Sequence, residues 1–266
     1  MEEQISKSEK SDVTRFNGEI KEQLSDGKNS GLFRAIGLYF KESAKEFSDL
    51  KKITLAGMFL AMSVALQGVS IPLDPSRTLW MQVTFIISML SGLVLGPLLS
   101  LVRGAGSDLI GFLIFPQGPF FPGYTLSAAL GAMVYSLFFW RRKVTSSSIL
   151  CAKLTVNVLI NAALGSLWSV ICYGTKAYEV YFGLSLVKNL VFLPIEVLVI
   201  TVVFKAMIPA LSKFHLVKSE NLDSLKTGTR QTVIACALIA LLVLLMSLFG
   251  TRLYEMLKNF VNLIFS

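Results

Sequence analysis

Apolar residues run along this chain in long blocks that contain no charged side chain. Five such blocks are at least 21 residues long: Ile53–Leu73, Thr78–Val102, Leu109–Trp140, Leu154–Thr175 and Gln231–Thr251. Each reaches the roughly 20 apolar residues that a helix needs to cross a bilayer. The pattern therefore predicts an all-α integral membrane protein with several membrane-spanning helices.

Turn-forming and charged residues divide these blocks into six predicted spans. The spans are Ile53–Ile71, Leu79–Leu101, Ala105–Phe115, Pro119–Trp140, Ile149–Tyr173 and Tyr181–Pro209. The third has about a dozen residues and covers only about 18 Å, so we expect it to be short or steeply inserted. We predict an N-terminal extension (1–50), a six-helix membrane domain (51–212), a polar cytoplasmic linker (213–230), and a seventh membrane segment with its tail (231–266).

The N-terminal extension has two parts. Residues 1–30 are polar and mixed in charge, and we expect them to be disordered. Within Gly31–Phe47, apolar residues recur at helical spacing and charged residues lie opposite them. The apolar residues are Phe33, Ile36, Phe40, Ala44 and Phe47. This predicts an amphipathic helix on the inner membrane surface. A short helix that packs on a cytoplasmic partner is the alternative.

The net charge of +8 is unevenly distributed among the predicted loops. The basic residues cluster before span one and after spans two, four and six: Lys41, Lys45, Lys51, Lys52, Arg103, Arg141, Arg142, Lys143, Lys213, Lys218, Lys226 and Arg230. The positive-inside rule then places the N-terminus in the cytoplasm. The basic residues indicate topology, and no nucleic-acid patch is expected.

Several chemistries are excluded by the motifs. The sequence has no Walker loop, no HExxH and no GxSxG. Its one histidine, His215, falls in the predicted linker, and Cys151, Cys172 and Cys236 lie far apart without a CxxC. We therefore expect neither an enzyme nor a bound metal or cofactor, and active transport would require an energising partner.

An uncharged aromatic hinge interrupts the longest apolar block. The stretch Phe115–Thr125 contains three prolines and two glycines, together with Phe120, Phe121 and Tyr124. Aromatic side chains and carbonyls without charge favour a pocket for an organic ligand over an ion path. An interfacial turn with aromatic belt residues is the alternative.

Span one carries small residues at Gly57, Ala61 and Ala65, four apart and therefore on one face. Because lipid provides no hydrophobic drive for helix association, such a ridge lets another helix approach closely. It predicts a docking surface for a partner protein, or else packing within this chain.

Spans five and six carry polar residues within the membrane. Asn157, Asn161 and Trp168 lie at offsets of 4 and 11, which fall on one face of an α-helix. They fit a ligand wall or interhelical hydrogen bonds. On span six, Lys188 and Glu196 are separated by eight residues, with Phe192 between them. Lys188 could snorkel to the interface, whereas Glu196 needs a partner.

Two further charged positions stand near helix ends. Asp108 lies one turn beyond Arg103, which favours a structural pair or helix lock over ligand contact. Arg77 and Trp80 flank the outer start of span two, where an anionic solute would first be captured.

With these residues assembled, the chain resembles the folate-family S components of energy-coupling factor vitamin transporters over about Lys52–Ala210. The most specific segments are Gly118–Leu130 (GPFFPGYTLSAAL) and Leu186–Pro194 (LVKNLVFLP). Leu95–Pro97, Ser107–Phe112 and Ala61–Ala65 support them, the last resembling the AxxxA docking motif of span one.

The resemblance implies a six-helix subunit in a prokaryotic cell membrane that binds a vitamin in an outward-facing pocket. It would dock through Ala61 and Ala65 on a transmembrane coupling protein carrying two cytosolic ATPases. ATP binding and hydrolysis would make the subunit topple and release its substrate inside.

Folate suits the chemistry of these residues. Trp168, Phe120, Phe121 or Tyr124 could stack on the pterin. Glu196 could pair with its N–H groups with support from Asn157 and Asn161, and Arg77 and Lys188 are the cations available for the glutamate tail.

The chain departs from the family at two positions. Trp80 and Ser185 stand where members often carry arginine, so a reduced folate, a neutral pterin or another vitamin stays open. A non-transporting membrane scaffold or regulator is the alternative from another class.

Overall fold

Helices make up nearly all of the part of the chain that the structure describes. The computed structural model describes residues 18, 29–69, 71–72, 80–81, 83–116, 120–173, 178–214 and 216–217. Its α-helices are α1 (Asn29–Lys45), α2 (Leu50–Gln67), α3 (Phe85–Val94), α4 (Pro97–Ile114), α5 (Pro122–Phe139), α6 (Ser146–Thr155), α7 (Gly165–Tyr173) and α8 (Tyr178–Lys213). A 3-10 turn, Glu46–Ser48, precedes α2, and a π-helix, Val156–Leu164, joins α6 to α7. Two short strands, β1 (Ile71–Pro72) and β2 (Trp80–Met81), pair antiparallel.

Four stretches of helix within the described residues are long and apolar enough to cross a membrane. They are Leu50–Gln67, Pro97–Ile114, Ser146–Cys172 and Lys188–Lys213. The prediction of an all-α membrane protein is confirmed. The predicted seventh span and the linker before it lie outside the described residues, apart from the first few linker positions.

Span three differs from its prediction. The helix breaks at Leu95 and Gly96, and α4 begins at Pro97 and runs for 18 residues, or about 27 Å. Proline suits this first helical position because its missing N–H is unpaired there in any case. The prediction of a short third span is therefore wrong, and α4 has the length of an ordinary span.

The boundary was misplaced because Arg103 is not a loop residue. It lies inside α4 with 2% of its surface exposed. Its guanidinium donates to Ser63 Oγ in α2 at 2.8 Å and to Ser88 Oγ in α3 at 3.2 Å. Arg103 therefore connects three helices through two hydroxyl groups.

Asp108 also has a different partner from the one predicted. Within the described residues it forms no ion pair with Arg103, and instead its Oδ2 accepts a hydrogen bond from Thr125 Oγ1 at 2.7 Å. Thr125 lies in the first turn of α5. Asp108 thus locks α4 to α5 next to the aromatic hinge, at the opposite end of α4 from Pro97.

The chain forms two compact units. The first contains the described residues up to Val144 and those from Phe204 onward, and the second contains Thr145 to Val203. In the first unit, α4 and α5 pack closely at Gly104. A Cβ atom there would lie 2.7 Å from the carbonyl oxygen of Ala128 and 2.8 Å from Cβ of Ala132. Glycine is therefore required for this helix approach.

Within the first unit, the N-terminal helix α1 and the 3-10 turn that follows it pack on the start of α4 through polar side chains. Ser43 Oγ accepts a hydrogen bond from the backbone N–H of Leu98 at 3.0 Å. Glu46 Oε2 accepts one from the N–H of Gly96. The first N–H groups of a helix have no intrahelical acceptors, so Ser43 and Glu46 together act as a cap for α4 supplied by another segment.

The same docking site satisfies the end of α3. Lys52 Nζ donates to the carbonyl oxygen of Val94 at 2.6 Å and lies 3.6 Å from Glu46 Oε1. Trp140 Nε1 donates to that same Glu46 oxygen at 3.0 Å. Polar groups on both sides of the α3–α4 break are thereby satisfied by residues from three other segments.

The docked face of α1 is not the apolar face predicted from the sequence. Tyr39, Ser43 and Glu46 are buried, whereas Ala44 and Phe47 are exposed. The apolar face therefore remains uncovered by this chain at those two positions. Contact of that face with the membrane surface stays a prediction.

Candidate functional site

The second unit contains a polar cluster on α6, the π-helix and α8. At its centre, Lys153 and Glu196 form an ion pair, with 3.1 Å between Lys153 Nζ and Glu196 Oε1. The two residues are 3% and 8% exposed. The sequence indicated that Glu196 needs a partner, and Lys153 is that partner.

Asn157 extends this cluster by one helical turn. Its Nδ2 atom donates to Glu196 Oε2 and to the backbone carbonyl oxygen of Asn189, at 3.2 Å in each case. Asn157 is 1% exposed, so its amide lies within the unit. The sequence left a ligand wall and interhelical hydrogen bonding open for Asn157, and its contacts in the structure are interhelical hydrogen bonds.

Asn161 occupies the outer end of the cluster. Its Nδ2 donates to Asn157 Oδ1 at 3.1 Å, and its backbone carbonyl accepts from Ser185 Oγ at 3.3 Å. Asn189 Nδ2 donates in turn to the carbonyl oxygen and to Oγ of Ser185, at 2.8 and 3.2 Å. Unlike Asn157, Asn161 is an exposed residue.

The π-helix changes the relationship between these amides and Trp168. Its nine residues, Val156–Leu164, hydrogen-bond from i to i+5. The offset of 11 from Asn157 to Trp168 indicates a shared face only if the helix is α throughout. The spacing argument for Trp168 therefore does not hold, although Trp168 does lie on the same continuous helix, in α7.

Lys188 lies two turns before Glu196 on α8, and its side chain is half-buried. Its charge is within electrostatic reach of the Glu196 carboxylate. The direct ion-pair partner of Glu196 is Lys153, so Lys188 does not neutralise this carboxylate at contact distance. A role for Lys188 in holding an anionic ligand stays a prediction.

The aromatic hinge residues belong to the first unit. Phe121 and Tyr124 pack edge to face with ring centroids 6.0 Å apart, and Phe120 packs on Phe112 at 5.2 Å. Phe120 and Tyr124 are 48% and 39% exposed. The hinge therefore presents aromatic surface rather than burying it.

Two predicted site residues cannot be placed as side chains. Arg77 lies outside the described residues. Trp80 is described only through its backbone, which pairs with Pro72 in the two-stranded sheet.

The predicted docking ridge is exposed. Gly57, Ala61 and Ala65 share the uncovered face of α2, and nothing lies within 4 Å of a Cβ atom placed on Gly57. The opposite face of α2 buries Phe59 and Val64. Among the described residues, the ridge therefore does not serve packing within this chain.

Sequence analysis missed Lys153, which is the most buried lysine of the described residues. The predicted fifth span, Ile149–Tyr173, contains this lysine, but polar site residues were considered only within the uncharged run Leu154–Thr175 just after it. The informative signal was its spacing, because Lys153, Asn157 and Asn161 follow one another at intervals of four residues. A lysine in register with two amides faces the same neighbour as they do.

Comparison with known proteins gives a consistent assignment. The chain is 43% identical over 116 residues to the folate transporter FolT of Clostridium novyi (strain NT), a match that covers 44% of this chain and 67% of that protein. The chain belongs to the folate transporter family. The folate transporter FolT of Leuconostoc mesenteroides subsp. mesenteroides is 29% identical over 154 residues, which cover 56% of this chain and 82% of that protein.

A solved structure of this folate transporter family supports the fold. The crystal structure of FolT bound with folic acid matches with a TM-score of 0.51 and 32% sequence identity, over 56% of this chain and 89% of that one. No protein-family model matches the chain. The predicted resemblance to the folate family is confirmed. The prediction that the chain is a multi-pass membrane protein is confirmed as well. Because the relatives are named as transporters, the prediction that the chain is not an enzyme is also confirmed.

Proposed function

We propose that this chain is the substrate-binding membrane subunit of an ATP-driven importer for folate or reduced folates. The observation that carries the proposal is the match to FolT bound with folic acid, which covers 89% of that structure. The subunit would lie in a prokaryotic cell membrane with its N-terminus in the cytoplasm, as the distribution of basic residues predicts.

The second unit supplies two kinds of contact that a folate ring needs. A pterin is a flat ring system with a hydrogen-bonding edge. Trp168 is a large aromatic side chain that would stack on its face. Stacking by Phe120, Phe121 or Tyr124 stays an expectation from the sequence. The exposed amide of Asn161, held through Asn157 on Glu196, would contact its edge.

The glutamate tail of folate is a dianion and requires cations. Lys188 is half-buried and not paired at contact distance with Glu196, so its ammonium group is a candidate. Arg77, three residues before Trp80 in the sequence, is the second cation that the sequence predicts. Both roles are proposals from charge and position.

We assign substrate delivery to a partner, because the sequence has no nucleotide-hydrolysing motif. The exposed ridge Gly57, Ala61 and Ala65 would dock on a transmembrane coupling protein that carries two cytosolic ATPases. Small side chains suit this role because they let a partner helix approach within backbone distance.

The ligand is tested by titrating the purified chain with folic acid, 5-formyltetrahydrofolate, a simple pterin, riboflavin and thiamine while tryptophan fluorescence is recorded. Trp168 is the proposed stacking residue, and Trp80 is a substrate-binding residue predicted from the sequence, so binding should quench tryptophan emission. We expect saturable quenching by folates alone. Quenching by riboflavin or thiamine instead would identify that vitamin, and not folate, as the substrate. No response from folded protein would favour the alternative of a non-transporting membrane scaffold.

Docking is tested separately with Ala61→Leu, which fills the ridge with a bulky side chain. We expect folate binding by the isolated subunit to be unchanged, while cellular uptake and co-purification with the coupling protein are lost. The matched control is Met62→Leu, a volume-conserving change at an exposed neighbour on the same helix. Normal uptake by the Ala61→Leu variant would contradict docking through this ridge.

A further inference from the structure

A directional chain of hydrogen bonds connects the buried ion pair to the surface of the second unit. Lys153 pairs with Oε1 of Glu196, Asn157 donates to Oε2, and Asn161 donates to Asn157. Lys153, Glu196 and Asn157 are buried, at 3%, 8% and 1% exposure, whereas Asn161 at the end of the series is exposed.

The orientation of the Asn157 amide is set by its partners. The backbone carbonyl of Asn189 can only accept hydrogen bonds, and so can a carboxylate that is paired with an ammonium group. Both lie 3.2 Å from the same side-chain atom, which must therefore be the nitrogen. Rotating the amide by 180° would place its oxygen against two acceptors.

The orientation of Asn157 then determines that of Asn161. Asn157 Oδ1 faces Asn161 and can only accept, so Asn161 must turn its own nitrogen inward. Its Oδ1 atom is left on the exposed side, where none of the described residues donates to it. The buried charge thus fixes an outward-facing acceptor about two hydrogen bonds away.

We infer that Asn161 is a specificity-determining residue whose carbonyl oxygen accepts a hydrogen bond from an N–H group of the ligand ring. This inference rests on the proposed function. For a folate, the available donors are the 2-amino group and the ring N3–H of the pterin. Lys153 acts as a positioning residue, because it holds the other oxygen of Glu196 at 3.1 Å and so fixes the carboxylate that orients Asn157.

The inference is tested by combining one change in the protein with changes in the ligand. Dissociation constants are measured by calorimetry for folic acid, 2-desamino-2-methylfolic acid and N3-methylfolic acid, with the full chain and its Asn161→Leu variant. The matched control is Leu159→Ala, since Leu159 is exposed on the same π-helix and has no polar group. Thermal unfolding midpoints show whether each variant is folded.

We expect the wild-type chain to bind one of the two analogues at least about tenfold more weakly than folic acid, since a donor is missing. Asn161→Leu should weaken folic acid binding by a similar factor. Its Kd for that analogue should stay within about twofold of the wild-type Kd for the same analogue, because the substitution and the change in the ligand remove the same hydrogen bond. Leu159→Ala should bind all three ligands as the wild type does.

Two results would overturn the inference. One is an equal loss of affinity for all three ligands in Asn161→Leu, which would indicate a structural role. The other is unchanged folic acid binding by this variant. Failure of the wild-type chain to bind folic acid at all is a separate result, since it would remove the proposed function and this inference together.

Discussion

Lys153 and Glu196 form a buried ion pair between α6 and α8, with 3.1 Å between their charged groups. A charged residue within a membrane helix costs roughly 2.5–3.5 kcal/mol on insertion scales, so each of these is unfavourable alone. Pairing them, with Asn157 on the second carboxylate oxygen, lets both remain inside the second unit.

Removing one partner of this pair should be strongly destabilising. We expect Lys153→Met to lower the free energy of unfolding by about 3–5 kcal/mol, because Glu196 is left buried without its ion-pair partner. Thermal unfolding of the purified chain in detergent would measure the loss. The double variant Lys153→Met with Glu196→Leu should recover most of the stability. Equal instability of the single and double variants would argue against the pair as the cause.

Replacing Glu46 should release α1 from the helices it packs on within the first unit. Glu46→Ala leaves the N–H of Gly96 and the indole N–H of Trp140 without their acceptor, at a cost of about 1–3 kcal/mol. We expect faster tryptic cleavage after Lys45. Glu42→Ala is the control, since Glu42 forms only partly exposed ion pairs, worth less than about 1 kcal/mol. Equal cleavage rates in both variants would contradict the capping role.

Alkaline pH should weaken the docking of α1 through Tyr39. Burial raises the pKa of Tyr39 to about 12, above the value of about 10 for an exposed tyrosine. A raised pKa in the folded state means that this stabilisation is complete below pH 10 and is lost as the pH rises towards 12. We expect the unfolding midpoint to fall over this interval more in the wild type than in Tyr39→Phe. Parallel curves for the two proteins would exclude Tyr39 as the group responsible.

The close approach of α4 and α5 should not tolerate a methyl group at Gly104. The added Cβ of Gly104→Ala would meet the backbone oxygen of Ala128 at 2.7 Å, and backbone cannot move aside cheaply. We expect a loss of about 1–3 kcal/mol in thermal unfolding. Gly57→Ala makes the matched comparison, because the space there is open and alanine favours helix. A stable Gly104→Ala variant would show that the helices can separate without cost.

Sequence patterns predicted the helices well and their boundaries less well. Uncharged blocks identify membrane helices because crossing a bilayer requires apolar length. The method fails where a charge is buried within the helix, as at Arg103 and Lys153. Pro97 after Gly96 was the better boundary signal, since it marks a helix start irrespective of charge.

The candidate site could be predicted only in part. Asn157, Asn161 and Glu196 were found because polar residues are costly in a membrane helix. The position of Trp168 relative to them was not predictable, because a π-helix has no compositional signature that distinguishes it from an α-helix. For α1, the docked face was missed because Ser43 and Glu46 bind helix-end N–H groups, which a hydrophobic pattern does not record.

The π-helix makes the fifth span sensitive to the number of its residues as well as to their chemistry. Deleting one exposed residue, such as Leu159, would allow α-helical hydrogen bonding to replace the wider turns. Because the wider turns of a π-helix hold more residues than α-helical turns, the loss of one residue and the change to α-helical bonding largely compensate. Lys153 before the π-helix and Trp168 after it would then nearly keep their relative orientation, while the spacing from Asn157 to Asn161 would shorten from four residues to three. A length change of one residue is therefore a route by which this helix could alter its central polar residues while its two ends stay in place.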